Sequence, residues 1–197
     1  MNKKYCSLCL VLAFLIAFTA LGPIQTTHAY PTYYSFSVPQ KVQQKSKWCW
    51  AACSVSVIEY FTNQTVSQNM FVLTVNGNTY NSGASTSGIC YGLSMYCVSS
   101  TAIENKLAYA TLKSQAYSNK PVSCGRMTYV QDEYGIWVKE SGHFMISCGY
   151  DSSNSQQLVV MMDPGYTSYQ YRSYSSLSSL ITEEARYFWE LTIYQFS

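Results

Sequence analysis

Trp48-Cys49-Trp50-Ala51-Ala52-Cys53 puts a thiol at the head of an amphipathic stretch, and beyond residue 29 the chain holds one histidine, His143. A thiol near its ordinary pKa is mostly protonated at neutral pH. The first turn of a helix favours the anion, because unpaired N–H groups and the helix dipole point at it, and an imidazole in contact can take the proton. A cysteine so placed and a single available base are the minimum equipment for nucleophilic thiolate chemistry. Cys53, one turn later, falls on the core side of the same helix and reads as packing.

Two further roles need candidates. An acceptor must hold the imidazole in the correct tautomer. Asp163, in Val160-Met161-Met162-Asp163-Pro164, ends the strand after that of His143, 20 residues away across one hairpin. Asp163-Pro164-Gly165 is equally an ordinary turn sequence. Asp151 is the competing carboxylate, better suited to capping the intervening turn. An oxyanion also needs donors. The backbone N–H of Cys49 is one, and Gln43 and Gln44, in the loop before the helix, are both candidates for a second. No cofactor or metal ion is called for.

The elements that must carry these groups follow from periodicity. Tyr30 to Val38 alternates loosely and ends at Pro39, as an edge strand does. Gln40 to Lys47 is a polar loop, with Ser46 as an N-cap. From Trp48 to Phe61, Ala51, Val55 and Ile58 recur at helical spacing beside Cys53, Val57 and Phe61, which predicts a central, largely buried helix. A second short helix is expected within Thr65 to Val75, and a loop over the Asn-, Gly- and Ser-rich stretch Asn76 to Gly88. Ser100 to Tyr117 reads as a helix opened by a Thr101/Glu104 capping box. After Pro121 the period becomes strand-like over Val122 to Val130, Gly135 to Val138, His143 to Tyr150, Leu158 to Met162, Tyr166 to Tyr174 and Phe188 to Phe196, with a turn at Asp151 to Asn154. Helices first and strands afterwards indicate an α+β fold, its N-terminal helix packed on an antiparallel β-sheet.

Composition limits the partners. The chain has 197 residues, 48% of them hydrophobic and 11% charged, which suits one globular domain with a surface solvated by hydroxyls and amides. Lys3 and Lys4 account for the formal charge of +2; the remaining basic and acidic residues balance at ten each. No basic stripe is present, which argues against nucleic acid and against electrostatic membrane binding. Residues 1–29 read as a secretory signal peptide: Lys3-Lys4, an apolar run from Leu8 to Leu21, then Thr27-His28-Ala29 as a cleavage site. Residues 30–197 would then form the domain, outside the cell and free of the membrane. Six cysteines remain: Cys49, Cys53, Cys90, Cys97, Cys124 and Cys148. With Cys49 as a free nucleophile, the other five cannot all pair within one chain. Cys90 and Cys97, flanking a short Gly-containing loop outside the predicted core elements, are the best disulfide candidates; the alternative is that all are small buried hydrophobes.

Cys49-Trp50-Ala51-Ala52 resembles the segment around the nucleophile of papain-like cysteine peptidases. The fuller Gln-Gln-x-x-x-Trp-Cys-Trp-Ala-Ala form is similar to the bacterial branch that contains effector proteases and bacteriocin-processing peptidases. The resemblance covers roughly residues 38 to 175. It implies that Gln43, six residues before the nucleophile, completes the oxyanion hole. It implies too that Gly142-His143, leading to Gly149-Tyr150-Asp151, carries the base, and that Asp163-Pro164 carries the third residue. Cys49 and His143 are 94 residues apart, less than the roughly 130–150 of the lysosomal pattern, so the core is trimmed. Few residues separate the leader from the catalytic loop, too few for a long inhibitory propeptide, so an inhibitor protein is a possible partner.

The leading expectation is a secreted papain-like endopeptidase acting on peptide or protein substrates through Cys49, His143, Asp163 and Gln43. A cell-wall amidase or endopeptidase also uses Cys and His, but its usual Asp-Cys-Ser start and wall-binding repeats are missing here. A non-catalytic binding module on the same scaffold would have lost the nucleophile or the base; both are kept.

Overall fold

The computed structural model describes residues 29–153 and 155–197. The leader expected over residues 1–29 therefore lies, but for Ala29, outside the described residues. Helix α1, Cys49–Thr62, buries every residue from Cys49 to Ile58 and ends at Asn63, whose N–H bonds back to Glu59 in the left-handed conformation. A helix apolar on this many sides must sit between other elements. Helices α2 (Gln68–Asn76) and α3 (Thr86–Met95) cover one side. The other side rests on an antiparallel sheet.

The strands are β1 Tyr33–Ser35, β2 Thr101–Ile103, β3 Val122–Gln131, β4 Trp137–Asp151, β5 Leu158–Met162, β6 Gln170–Ser173, β7 Ser179–Ile181 and β8 Ala185–Tyr194. They form one eight-stranded sheet in the order β2-β8-β3-β4-β5-β6, with β1 on β4 and β7 on β8. Two short helices complete it, α4 (Tyr109–Tyr117) and α5 (Tyr174–Ser178). This is the expected α+β arrangement of a central N-terminal helix on an antiparallel sheet. Strand β4 organises it. Its alternate residues Phe144, Ile146 and Cys148 join the α1 core, while Met145 joins a second core with Leu112, Val122, Met161, Leu177 and Trp189.

Beyond the reach of β3, β1 takes over the same edge of β4, pairing Ser35 with Gly149. A Cβ on Gly149 would stand 2.6 Å from both Tyr34 O and Ser35 Cβ. Gly149→Ala is therefore expected to push β1 off the sheet and to cost about 1–3 kcal/mol, as overpacking does. Urea unfolding checks this; an unchanged midpoint would mean that β1 contributes nothing.

Five expectations are corrected. Helix α1 has Trp48, not Ser46, at its N-cap and no side-chain cap bond. Residues 86–95 are helical rather than loop, capped by Ser85. The glycines that suggest a loop there serve close packing: a Cβ on Gly92 would lie 2.4 Å from Val75 and 3.0 Å from Phe71 of α2. Consequently Cys90 lies inside a helix and Cys97 beyond its end in the left-handed conformation, and both are free thiols rather than a disulfide. The Thr101/Glu104 capping box does not form, because Thr101–Ile103 pairs as β2 with β8, and only Tyr109–Tyr117 is helical. The two strands expected over residues 135–150 are one, Trp137–Asp151.

Candidate active site

Without a capping side chain, the N-terminus of α1 is held by its neighbours. The indoles of Trp48 and Trp50 donate to Tyr80 O (3.0 Å) and Ser82 O (3.1 Å). Lys47 N donates to Asn81 Oδ1, Asn81 Nδ2 to Ser46 Oγ, and the Lys45 ammonium lies 4.3 Å from the Trp48 ring centroid. The first intrahelical bond runs from Ala52 N to Trp48 O. The N–H groups of Cys49, Trp50 and Ala51 therefore have no helical acceptor, which is the donor-rich helix start that a thiolate or an oxyanion needs.

The loop before α1 is tied to the turn after β5. Gln43 N donates to Pro164 O (2.9 Å), and Gln40 Nε2 donates to Asp163 O and Tyr166 O. Buried Gln68 of α2 clamps the same loop, accepting from Gln44 N and donating to Val42 O (2.7 Å). These bonds bring three expected residues together. Cys49, 4% exposed, lies with Sγ 3.9 Å from Gly142 O, the carbonyl next to His143, close enough to the imidazole to help raise its pKa. His143 Nε2 is 2.7 Å from Asp163 Oδ1, which leaves Nδ1 as the ring nitrogen for the thiol. Asp163, 2% exposed, also accepts from Gly165 N at Oδ1 (3.0 Å) and from Arg172 Nη2 at Oδ2 (2.8 Å). It is thus both a turn residue and the acceptor of the imidazole. Asp151 Oδ1 accepts from Ser153 N and Oγ and caps its own turn.

Burial opposes a charge on His143, but the hydrogen bonds to Asp163 and Cys49, with the charges they carry, outweigh it and raise its pKa to about 9. Burial likewise opposes the Asp163 anion. The His143 bond, the Gly165 N–H, the imidazolium charge and Arg172 overcome that and hold it down to about 2. At neutral pH the pair is therefore imidazolium and carboxylate. Burial raises the pKa of the Cys53 and Cys124 thiols and pushes Cys148 up to about 12.

Beside Cys49 opens a cleft of about 380 Å³, lined by apolar Trp50, Ala84, Met127, Phe144 and Leu191, with Glu140 also on its wall. Gln43 lies in the expected loop, yet both hydrogens of its amide are taken, by Lys45 O (3.0 Å) and Ser46 O (2.9 Å). Gln44 is exposed. Sequence reasoning missed Arg172 and Gln68. The first is an arginine in a tyrosine-rich strand whose partner is set only by β5–β6 pairing, and the second is a glutamine at the start of a short helix.

The model of the Peptidase_C39 like family matches residues 35–195. The chain belongs to that family. Membership makes this C39-like chain a cysteine-type peptidase, a hydrolase of peptide or protein substrates. No curated protein matches it. Solved structures share its fold. A C39-like peptidase from Bacillus anthracis is similar at 14% identity and TM-score 0.56, over 82% of this chain and 96% of that one. Xylellain, a cysteine protease from Xylella fastidiosa, gives 14% and 0.54, over 84% and 86%. The peptidase domain of Streptococcus ComA, a bi-functional ABC transporter of a quorum-sensing pathway, gives 18% and 0.50, over 78% and 93%. The papain-like fold expected from the motif is the fold observed.

Proposed function

We propose that this C39-like peptidase is a secreted endopeptidase working through a Cys49-His143-Asp163 triad. The observation that carries the reading is the convergence of the Cys49 thiol, 3.9 Å from the carbonyl of Gly142, on the neighbouring His143, whose Nε2 is 2.7 Å from Asp163 Oδ1. Cys49 Sγ, as thiolate, attacks the scissile carbonyl, and negative charge develops on the carbonyl oxygen. The unbonded N–H of Cys49 at the head of α1 meets that charge. Gln43 supplies the second donor by exchanging one of its loop carbonyls for the stronger, charge-assisted bond to the oxyanion. The C–N bond breaks as His143 passes its proton to the leaving amine. Water, deprotonated by His143, then cleaves the thioester, releasing the acid product and restoring the Cys49 thiolate and the His143 imidazolium. Asp163 keeps the ring oriented throughout, and Arg172 keeps Asp163 anionic and in place. Secretion is supported by the Lys3-Lys4, apolar-run and Thr27-His28-Ala29 pattern.

A thiol-directed peptidyl epoxide tests the assignment. Cys53, Cys124 and Cys148 are buried with raised pKa values, and among the described residues the one imidazole, His143, lies near Cys49 and not near Cys90 or Cys97. One equivalent is expected to modify Cys49 and to abolish cleavage in step. An adduct mapped by mass spectrometry to another cysteine, with activity lost, would transfer the role to that residue.

A further inference from the structure

The constellation contains a second arginine, one that no carboxylate among the described residues pairs with. Arg126 of β3 stands directly opposite His143 of β4, so their Cβ atoms are about 5 Å apart on one face of the sheet. Asp163 lies close enough for its charge to be felt at Arg126, but its oxygens already serve His143, Gly165 and Arg172. Among the described residues no carboxylate pairs with Arg126. Its Nε is buried without a hydrogen-bond partner, and its guanidinium is held 4.5 Å from the Tyr187 ring centroid. Arg172 and Arg186 also leave Nε unpaired, but Arg172 is bonded to Asp163, and Arg186 stacks on Trp137, far along the hairpin from His143. Asp163 is already shared between His143 and Arg172, so Arg126 adds a positive charge to this side of the site with no carboxylate of its own among the described residues.

We propose that Arg126 receives a substrate carboxylate on the leaving-group side of the scissile bond. The inference rests on the peptidase reading above. His143 gives its proton to the leaving amine, so the leaving portion of the peptide must pass over the His143 side. Residues alternate along β3: Met127 lines the apolar cleft beside Cys49, and Arg126 points to the opposite face with His143. The acyl portion thus meets apolar wall, and the leaving portion meets the guanidinium. A fork of N–H donors pinned by stacking on Tyr187 matches a carboxylate in geometry and charge. Burial, with Arg172 next to it, destabilises the Arg126 cation, so an incoming anion relieves an existing cost. Peptides offer carboxylates of two kinds, the side chain of Asp or Glu and the free C-terminus.

A peptide cleaved by the wild-type protein is made in matched pairs: Asp against Asn at the first and second positions after the scissile bond, and free acid against amide at its C-terminus. The carboxylate member of at least one pair is expected to be cut with kcat/KM about 10- to 100-fold higher, the range of a charged hydrogen-bonded pair. In Arg126→Gln that ratio should collapse towards one, and in Arg126→Lys it should be partly kept. Whichever pair shows the ratio identifies the source of the carboxylate. Ratios near one for all pairs in the wild-type protein overturn the proposal, as does a ratio that survives in Arg126→Gln. Should Arg126→Gln not fold, the wild-type ratios and Arg126→Lys decide. Equal, Cys49-independent rates on every peptide, neutral ones included, would instead sink the peptidase reading itself.

Discussion

Cys49→Ala is expected to lower cleavage of a denatured protein by about 10⁴- to 10⁶-fold in kcat, the loss that follows removal of a nucleophile from a unit of this kind. The fold should survive. Cys49 is one buried residue of a helix whose other residues from Trp50 to Ile58 are also buried, and alanine is the best helix former. Cleavage measured on purified wild-type and variant protein, with circular dichroism to show equal folding, separates loss of chemistry from loss of structure. Equal activity of the two proteins would mean that another group attacks the carbonyl.

Asp163→Asn carries the second large effect. The variant keeps the volume of a 2% exposed side chain but removes the anion that His143, Gly165 and Arg172 all face. Loss of the orienting carboxylate should lower kcat/KM on the order of 10²- to 10⁴-fold. The pH profile should move as well. The reactive form contains the imidazolium, so wild-type kcat/KM falls as pH rises through the His143 pKa of about 9. Without Asp163 the opposing effect of burial gains weight, and the basic limb shifts to lower pH. A profile with its basic limb unmoved would show that Asp163 is only a turn residue. The same shifts govern stability. The raised His143 pKa contributes stability fully present below its ordinary 6.5 and lost as pH rises through about 9. The depressed Asp163 contributes stability present above its ordinary 3.8 and lost as pH falls through about 2.

The sequence was most readable where local pattern and local structure coincide. Leu158–Met162 is an apolar run of five and forms the expected strand. The helix from Cys49 carries its periodicity in plain view, and the family's motif spans the groups that the fold brings together. What was hidden depended on neighbours distant in sequence. Thr101 to Glu104 satisfies a local capping rule, but the open edge of β8 offers Thr101–Ile103 a ladder and takes it. Gly88 and Gly92 read as loop formers because nothing local reveals the α2 side chains packed against Gly92. Arg126 and Arg172 become part of the site only through strand register, opposite His143 in one case and Val159 in the other. Gln43 shows the converse: its position was legible from the motif, but its bonds to Lys45 and Ser46 were not.

The pairing of Cys49 with His143 is tested most directly by titrating the imidazole itself. His28 is the only other histidine in the chain, so the His143 ring resonances can be assigned with a single His143→Gln control. Followed by NMR, His143 should titrate near pH 9 in the wild-type protein, and well below that in Cys49→Ala, where the thiol's share of the stabilisation is gone. A wild-type value at the ordinary 6.5, unchanged when Cys49 is replaced, would mean that the two side chains do not act as a pair.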